Sequence, residues 1–429
     1  MEITFSIIFF LIVVLVSRLI FNQILNPLST FSLIWAVVIL TNLIGLIHYH
    51  NMLFETWVII YSSTLFLVFG SIIGKIVIER STNLRKQTTG YSLDRNTLLF
   101  YIFFLGIIGL FSAYLQWNQL FQRYGTISNI FLHGGEIYKL RVTGELVEVI
   151  PYIGSISLGG VFLSALYLAK FKKINIILLF PIIAVILRDM AAFGRVNILI
   201  SIAFFATTLF VSYKKQLKDK GFILKSSLIA ILILVLGIAS TSLTRTFRAP
   251  TEDYKGADKS LVQTKESIII SPSVYFYLSS QVSVLNETIR YDSEKVQYPG
   301  EYSFNFIYSL LAKLSLVNPP TFYQPGYNTP YWSNTGTYLR DLYCDFGVLG
   351  IILGPLMLGF MVTYMWFYVK VNENEISVFL LSYFWNIIIM SFLIMNTRSA
   401  FVTISLFVII GITLVHRSIN ARRYYANEK

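Results

Sequence analysis

Arg340, Asp341 and Asp345 close a polar run that begins at Asn334 and leads into an apolar stretch ending near Tyr368. Charge at the mouth of a membrane helix is costly to place, so it is usually kept for a purpose. If the run is helical, Asp341 and Asp345 share one face at i, i+4, with Arg340 beside them. An aspartate there can accept a proton, and an arginine can neutralise charge that develops in a transition state. The plainer reading is an ion-paired cap at the start of a span.

Other arginines are placed in the same way. Arg188 and Arg195 bracket Asp189-Met-Ala-Ala-Phe-Gly194 between two short apolar stretches. The fixed fork of a guanidinium suits an anionic group such as a phosphate. Here the plainer reading is that Arg188 pairs with Asp189 and both reach out to water. Arg245 and Arg248 follow directly on an apolar stretch, and Arg290 closes an amphipathic one. A cation at a helix C-terminus is favourable whatever else it does. Arg398 occupies a very short turn between two apolar segments, and Leu140-Arg141 precedes another. The aromatics Tyr323, Tyr327, Tyr331, Trp332 and Tyr338 suit stacking on sugars, or an interfacial belt.

The elements that must position these residues are membrane helices. Of 429 residues, 55% are hydrophobic and only 13% charged, where a soluble chain carries about 25% charge. Apolar stretches near ~20 residues match the hydrocarbon thickness. They fall at roughly 3–21, 28–47, 53–78, 97–117, 149–169, 174–187, 196–213, 223–243, 347–368, 376–395 and 401–415. The expected fold is an all-α polytopic bundle of about eleven transmembrane helices. The net charge of +12 gathers in short connections, which makes it a topology signal and argues against a nucleic-acid partner. One cysteine, Cys344, excludes an intrachain disulfide, and the four scattered histidines show no metal-ligand spacing. Neither metal nor cofactor is expected.

Lysines and arginines fix an orientation. Lys75, Arg80, Arg85, Lys86 and Arg95 mark one cytoplasmic connection, Lys170, Lys172 and Lys173 a second, and Lys214, Lys215, Lys218, Lys220 and Lys225 a third. Arg417, Arg422 and Arg423 place the C-terminal tail on the same side. The candidate arginines then face outward. The chain divides into an N-terminal bundle over 1–243, a long outward loop over 244–346, and C-terminal helices with a basic tail over 347–429. In the loop, Val274, Leu278, Val282, Leu285 and Ile289 repeat at helical spacing, as do Phe304, Ile307, Leu311 and Leu314. Both read as amphipathic helices packed on the bundle or lying at the interface.

This layout resembles the bacterial oligosaccharide repeat-unit polymerases, the Wzy-type O-antigen and capsule polymerases. The resemblance rests on the multi-span bundle, the long loop before the last helices, and the run Thr335-Gly-Thr-Tyr-Leu-Arg-Asp-Leu-Tyr-Cys-Asp-Phe-Gly-Val-Leu-Gly350. The Gly194-Arg195-Val-Asn-Ile-Leu start of a helix and Leu140-Arg141 are similar too. It implies a metal-independent glycosyltransferase with a GT-C-like bundle in the bacterial inner membrane, its active face periplasmic or extracellular. A glycan on undecaprenyl pyrophosphate would pass en bloc to the non-reducing-end hydroxyl of a second lipid-linked unit. Membrane lipid and a chain-length regulator are the further partners it implies. On that reading Arg188, Arg195 and Arg245 hold the pyrophosphate, with Arg248, Arg340 and Arg398 as further candidates. Arg141, Arg290 and Tyr338 join them in substrate binding, and Asp345 or Asp341 accepts the acceptor proton. A flippase of lipid-linked oligosaccharide and an O-antigen ligase are the alternatives. A ligase would be expected to carry a histidine between Thr244 and Phe346, and none lies there.

Overall fold

The computed structural model describes residues 2–81, 93–213, 272–291, 296–321, 324–372 and 374–427. The expected span over 223–243 lies outside them, as do Arg245, Arg248 and Tyr323. In chain order the described helices are α1 (Glu2–Phe21), α2 (Pro27–Ile44), α3 (Phe54–Arg80), α4 (Arg95–Tyr124), α5 (Ile127–Leu132) and α6 (Gly134–Val142). There follow α7 (Ser157–Phe171), α8 (Phe180–Ala191), α9 (Val196–Tyr213), α10 (Pro272–Tyr291) and α11 (Asn305–Lys313). The last are α12 (Tyr338–Val371), α13 (Glu375–Met390) and α14 (Ala400–Asn427). Short 3-10 turns lie at Ile153–Ile156, Ile176–Leu179 and Asn396–Arg398, and Tyr327–Asn328 pairs antiparallel with Trp332–Ser333.

Six of these segments are long and apolar enough to cross a membrane: α1, α2, α3, α4, Ile153–Phe171 and α12. Shorter apolar helices occupy Val196–Ser212, Glu375–Met390 and Ala400–His416. The protein is an all-α polytopic membrane protein. Its chain forms two compact units that interleave in sequence. One comprises Met1–Arg85, Asp253–Tyr368 and Ile387–Ser399, the other Lys86–Glu252, Val369–Asn386 and Ala400–Lys429.

In the first unit the helix ends are set by side chains from the sequence itself. Asn26 and Ser29 form a reciprocal capping box at the start of α2, with Pro27 at the first helical position. The N-terminus of α3 is capped from a distance: Asn286 of α10 accepts from the Leu53 N–H (2.7 Å) and the Thr56 hydroxyl (2.9 Å). α3 and α12 approach backbone to backbone. A β-carbon on Gly70 would lie 1.9 Å from the Leu356 carbonyl oxygen, and one on Gly359 would lie 2.1 Å from that of Leu67. Small residues at such a crossing let dispersion replace the hydrophobic drive that lipid does not supply.

Two expectations are refined here. Of the two placements expected for α10, it is packed into the unit and does not lie at an interface: every residue from Ser279 to Thr288 is buried, including Gln281, Asn286 and Glu287. Several of its polar groups are paired inside the unit, Asn42 bonding the Ser279 carbonyl and Ser283, and Tyr49 bonding the Ser279 hydroxyl (2.6 Å). The last loop span also starts earlier than hydropathy suggests. Helix geometry begins at Tyr338, and Gly347, at φ 59°, breaks it between the charged turn and the apolar stretch. Only glycine accepts that backbone without strain.

In the second unit α7 is central, buried from Ser157 through Ala169. Phe162 of α7, Phe204 of α9 and Phe379 of α13 meet edge-to-face, at centroid distances of 4.9 to 6.1 Å. α4 lies along α8, turning a small-residue face toward it: a β-carbon on Gly109 would lie 2.9 Å from that of Ala184. α8 has only 12 residues, about 18 Å of helix against ~30 Å of hydrocarbon. Arg188 and Asp189 are therefore drawn into the protein instead of standing beyond it.

Candidate functional sites

Each unit gathers charged residues into one buried place, and the two differ in kind. In the first unit, Arg340, Asp341 and Asp345 are brought together as their spacing suggested, and Arg398 joins them from a distant turn. Arg340 is fully buried. It donates to the carbonyls of Asn334 (3.0 Å) and Pro325, and its guanidinium carbon lies 5.5 Å from the Tyr327 ring centre. Asp341 accepts from the Met395 N–H (3.2 Å), and its other oxygen stands 3.9 Å from Arg398. Asp345 accepts from two successive backbone N–H groups, Tyr302 (2.8 Å) and Ser303 (2.6 Å). The Thr397 hydroxyl donates to the Ser303 carbonyl (2.6 Å) and completes the knot. Charge-assisted bonds of this kind hold backbone strongly, at roughly 1.5–3 kcal/mol each.

Two further residues of this unit were expected in substrate binding, and one of them, Tyr338, departs from that role. Tyr338 does not offer a face to sugars: it is 1% exposed, its ring edge-on to Phe31 and Trp35. Arg290 donates to the Asn51 carbonyl (2.8 Å) and stands 3.6 Å from Glu287. Glu287 is itself buried and meets His50 at 3.1 Å, a pairing that sequence reading missed because 237 residues separate the partners.

In the second unit the partner of Arg188 is Glu148, not Asp189. Arg188 donates through Nη2 (2.6 Å) and Nε (3.1 Å) to one oxygen of Glu148. The second Glu148 oxygen accepts from the Tyr152 N–H (3.2 Å). Adjacent residues on a helix do not face one another, so Asp189 points elsewhere. It accepts from the Asn197 amide (2.7 Å) and the Ile198 N–H (3.1 Å), capping the first turn of α9. Negative charge at a helix N-terminus is favourable, and burial strengthens the effect.

Gly154 shapes the path of Arg188. A β-carbon there would lie 2.9 Å from Cδ and Nε of Arg188 and 2.8 Å from Oγ of Ser112. The Phe401 ring centre lies 5.6 Å from the guanidinium carbon. Around this arginine three polar groups remain without a hydrogen-bond partner: both amide atoms of Gln116, the Ser155 hydroxyl and Nη1 of Arg188 itself. Gln116 is 1% exposed and Ser155 fully buried. Gln116 lies one turn beyond Ser112 on α4, and its neighbour Trp117 donates to the Leu187 carbonyl (2.9 Å), which sets this turn of α4 alongside the Arg188 turn of α8. Leaving such groups buried and unpaired costs about 1–3 kcal/mol each.

Arg141, at the end of α6, and Arg195, which precedes α9, lie in this unit too. Leu146, Ala191 and Phe193 pack nearby in the sequence around both. Among the described residues no group of three or more His, Cys, Asp or Glu is placed to hold a metal ion. Comparison with family models, curated proteins and solved structures finds no match to this chain.

Proposed function

We propose that this protein polymerises lipid-linked oligosaccharide repeat units, passing a growing glycan from its polyprenyl pyrophosphate carrier to a hydroxyl of a second lipid-linked unit. The observation that supports the reading best is the pair of partly buried guanidinium–carboxylate contacts, Arg188 with Glu148 and Arg398 with Asp341, at helix ends of an otherwise apolar protein. Charges in such a setting are costly and are usually kept for a substrate or ion path. The pyrophosphate is a good leaving group once its developing charge is neutralised, and fixed arginines do that without a metal. Glu148 already offsets Arg188, so on this reading the pyrophosphate falls to the other arginines singled out with it, Arg195, Arg245 and Arg248. On this reading the protein works in the bacterial inner membrane with its charged helix ends outward.

Deleting the gene tests the proposal. Loss of the surface-glycan ladder, with single lipid-linked units still reaching the outer face, supports a polymerase. Units trapped on the cytoplasmic face would mean a flippase instead. Arg195→Ala, inserted normally in the membrane, is expected to abolish polymer; a normal ladder would remove Arg195 from the pyrophosphate site.

A further inference from the structure

We infer that the Arg188 region is a recognition site for a neutral glycosyl group, and not for the pyrophosphate. The identity of that ligand rests on the function proposed above. The argument starts from donors and acceptors. Gln116 offers one of each, Ser155 can serve as either, and Arg188 Nη1 is a donor only. Glu148 accepts two bonds from Arg188 on one oxygen and leaves the pair without net charge.

A pyrophosphate presents acceptors alone. It would satisfy Arg188 Nη1 and the Gln116 N–H₂ while leaving Gln116 Oε1 unpaired, and it would bring anion against the Glu148 carboxylate. Sugar hydroxyls each donate and accept, so a pyranose face matches Gln116, Ser155 and Arg188 together. The site's neutrality then excludes the charged carrier from the place meant for the glycan, and specificity of this kind is as much rejection as attraction. Gly154, free of a side chain, lets the backbone pack directly against Arg188 and hold its guanidinium in place.

The same reasoning makes an unusual demand on mutants. A buried amide kept for a ligand is a burden to the ligand-free protein, so replacing it with an apolar isostere should stabilise while it disables. The full-length protein, purified in lipid nanodiscs, would be melted alone, with a panel of neutral mono- and disaccharides, and with inorganic pyrophosphate. We expect at least one sugar to raise the wild-type Tm. Gln116→Leu should raise the sugar-free Tm by about 1–3 °C and weaken the sugar's apparent affinity about tenfold or more. Ser155→Ala should move both in the same directions. A Gln116→Leu protein that melts lower than wild type would overturn the inference. So would a sugar response that survives in that variant, no response to any sugar in the panel, or a pyrophosphate response that Gln116→Leu removes. A lost inference here would leave the ladder experiment untouched. A failed ladder experiment with sugar binding intact would leave the site and change only what is done with the glycan.

Discussion

The charged turn of α12 and the Arg188 region contain the same residue types but use them differently. In the first, Asp345 has both oxygens on backbone N–H groups and Asp341 is engaged by Met395 and Arg398. In the second, an ion pair is formed and yet Gln116, Ser155 and Nη1 of Arg188 remain unclaimed. Asp341 Oδ1 and the Ser303 hydroxyl lack a hydrogen-bond partner in the first region as well, so the contrast lies in what the charges hold: backbone in the first, a carboxylate beside an unpaired amide in the second. The comparison recasts the two aspartates singled out from sequence. They look less like proton acceptors than like clamps that join 300–303 and 395–398 to the head of α12.

The sharpest way to break that contrast is Asp345→Ala. It strands two buried backbone donors and should cost about 3–5 kcal/mol, read as a large loss of thermal stability in detergent. Asp345→Asn keeps one acceptor oxygen and should lose less. If Asp345 were a proton acceptor with no clamping role, Asp345→Asn would melt like wild type and fail only in activity. Next comes Glu148→Ala, which leaves Arg188 in a poor environment. Glu148 keeps 24% of its side chain exposed, so roughly 2–3 kcal/mol is expected, below the full cost of breaking a deeply buried pair. Gly154→Ala should follow at about 1–3 kcal/mol, because Arg188 must shift to admit the methyl group. A Gly154→Ala protein with unchanged stability and sugar response would mean that Arg188 is not confined there. Gln116→Leu is the smallest of these effects and, like Ser155→Ala, has the opposite sign.

Hydropathy made most of the spans legible, since ~20-residue apolar runs admit few other readings. The head of α12 was legible only in part. The i, i+4 aspartates suggested helix, but the polar run hid its beginning at Tyr338, and only Gly347 marked the break. The arginines were visible as expensive residues. Their partners were not, because Glu148 lies 40 residues from Arg188 and sequence adjacency pointed to Asp189 instead. Gln116 stood at the end of an expected span, where a polar residue ordinarily marks the interface. Its burial follows from α4 continuing to Tyr124 and lying against α8. The burial of α10 was hidden for a related reason: its polar residues find partners on α2 and α3 that no periodicity reveals.

One thermal series decides most directly whether the two regions divide the work in this way: Gln116→Leu and Asp345→Asn melted beside wild type, without ligand. The account predicts a higher Tm for Gln116→Leu and a clearly lower one for Asp345→Asn. A fall for Gln116→Leu, or an unchanged Tm for Asp345→Asn, would contradict it.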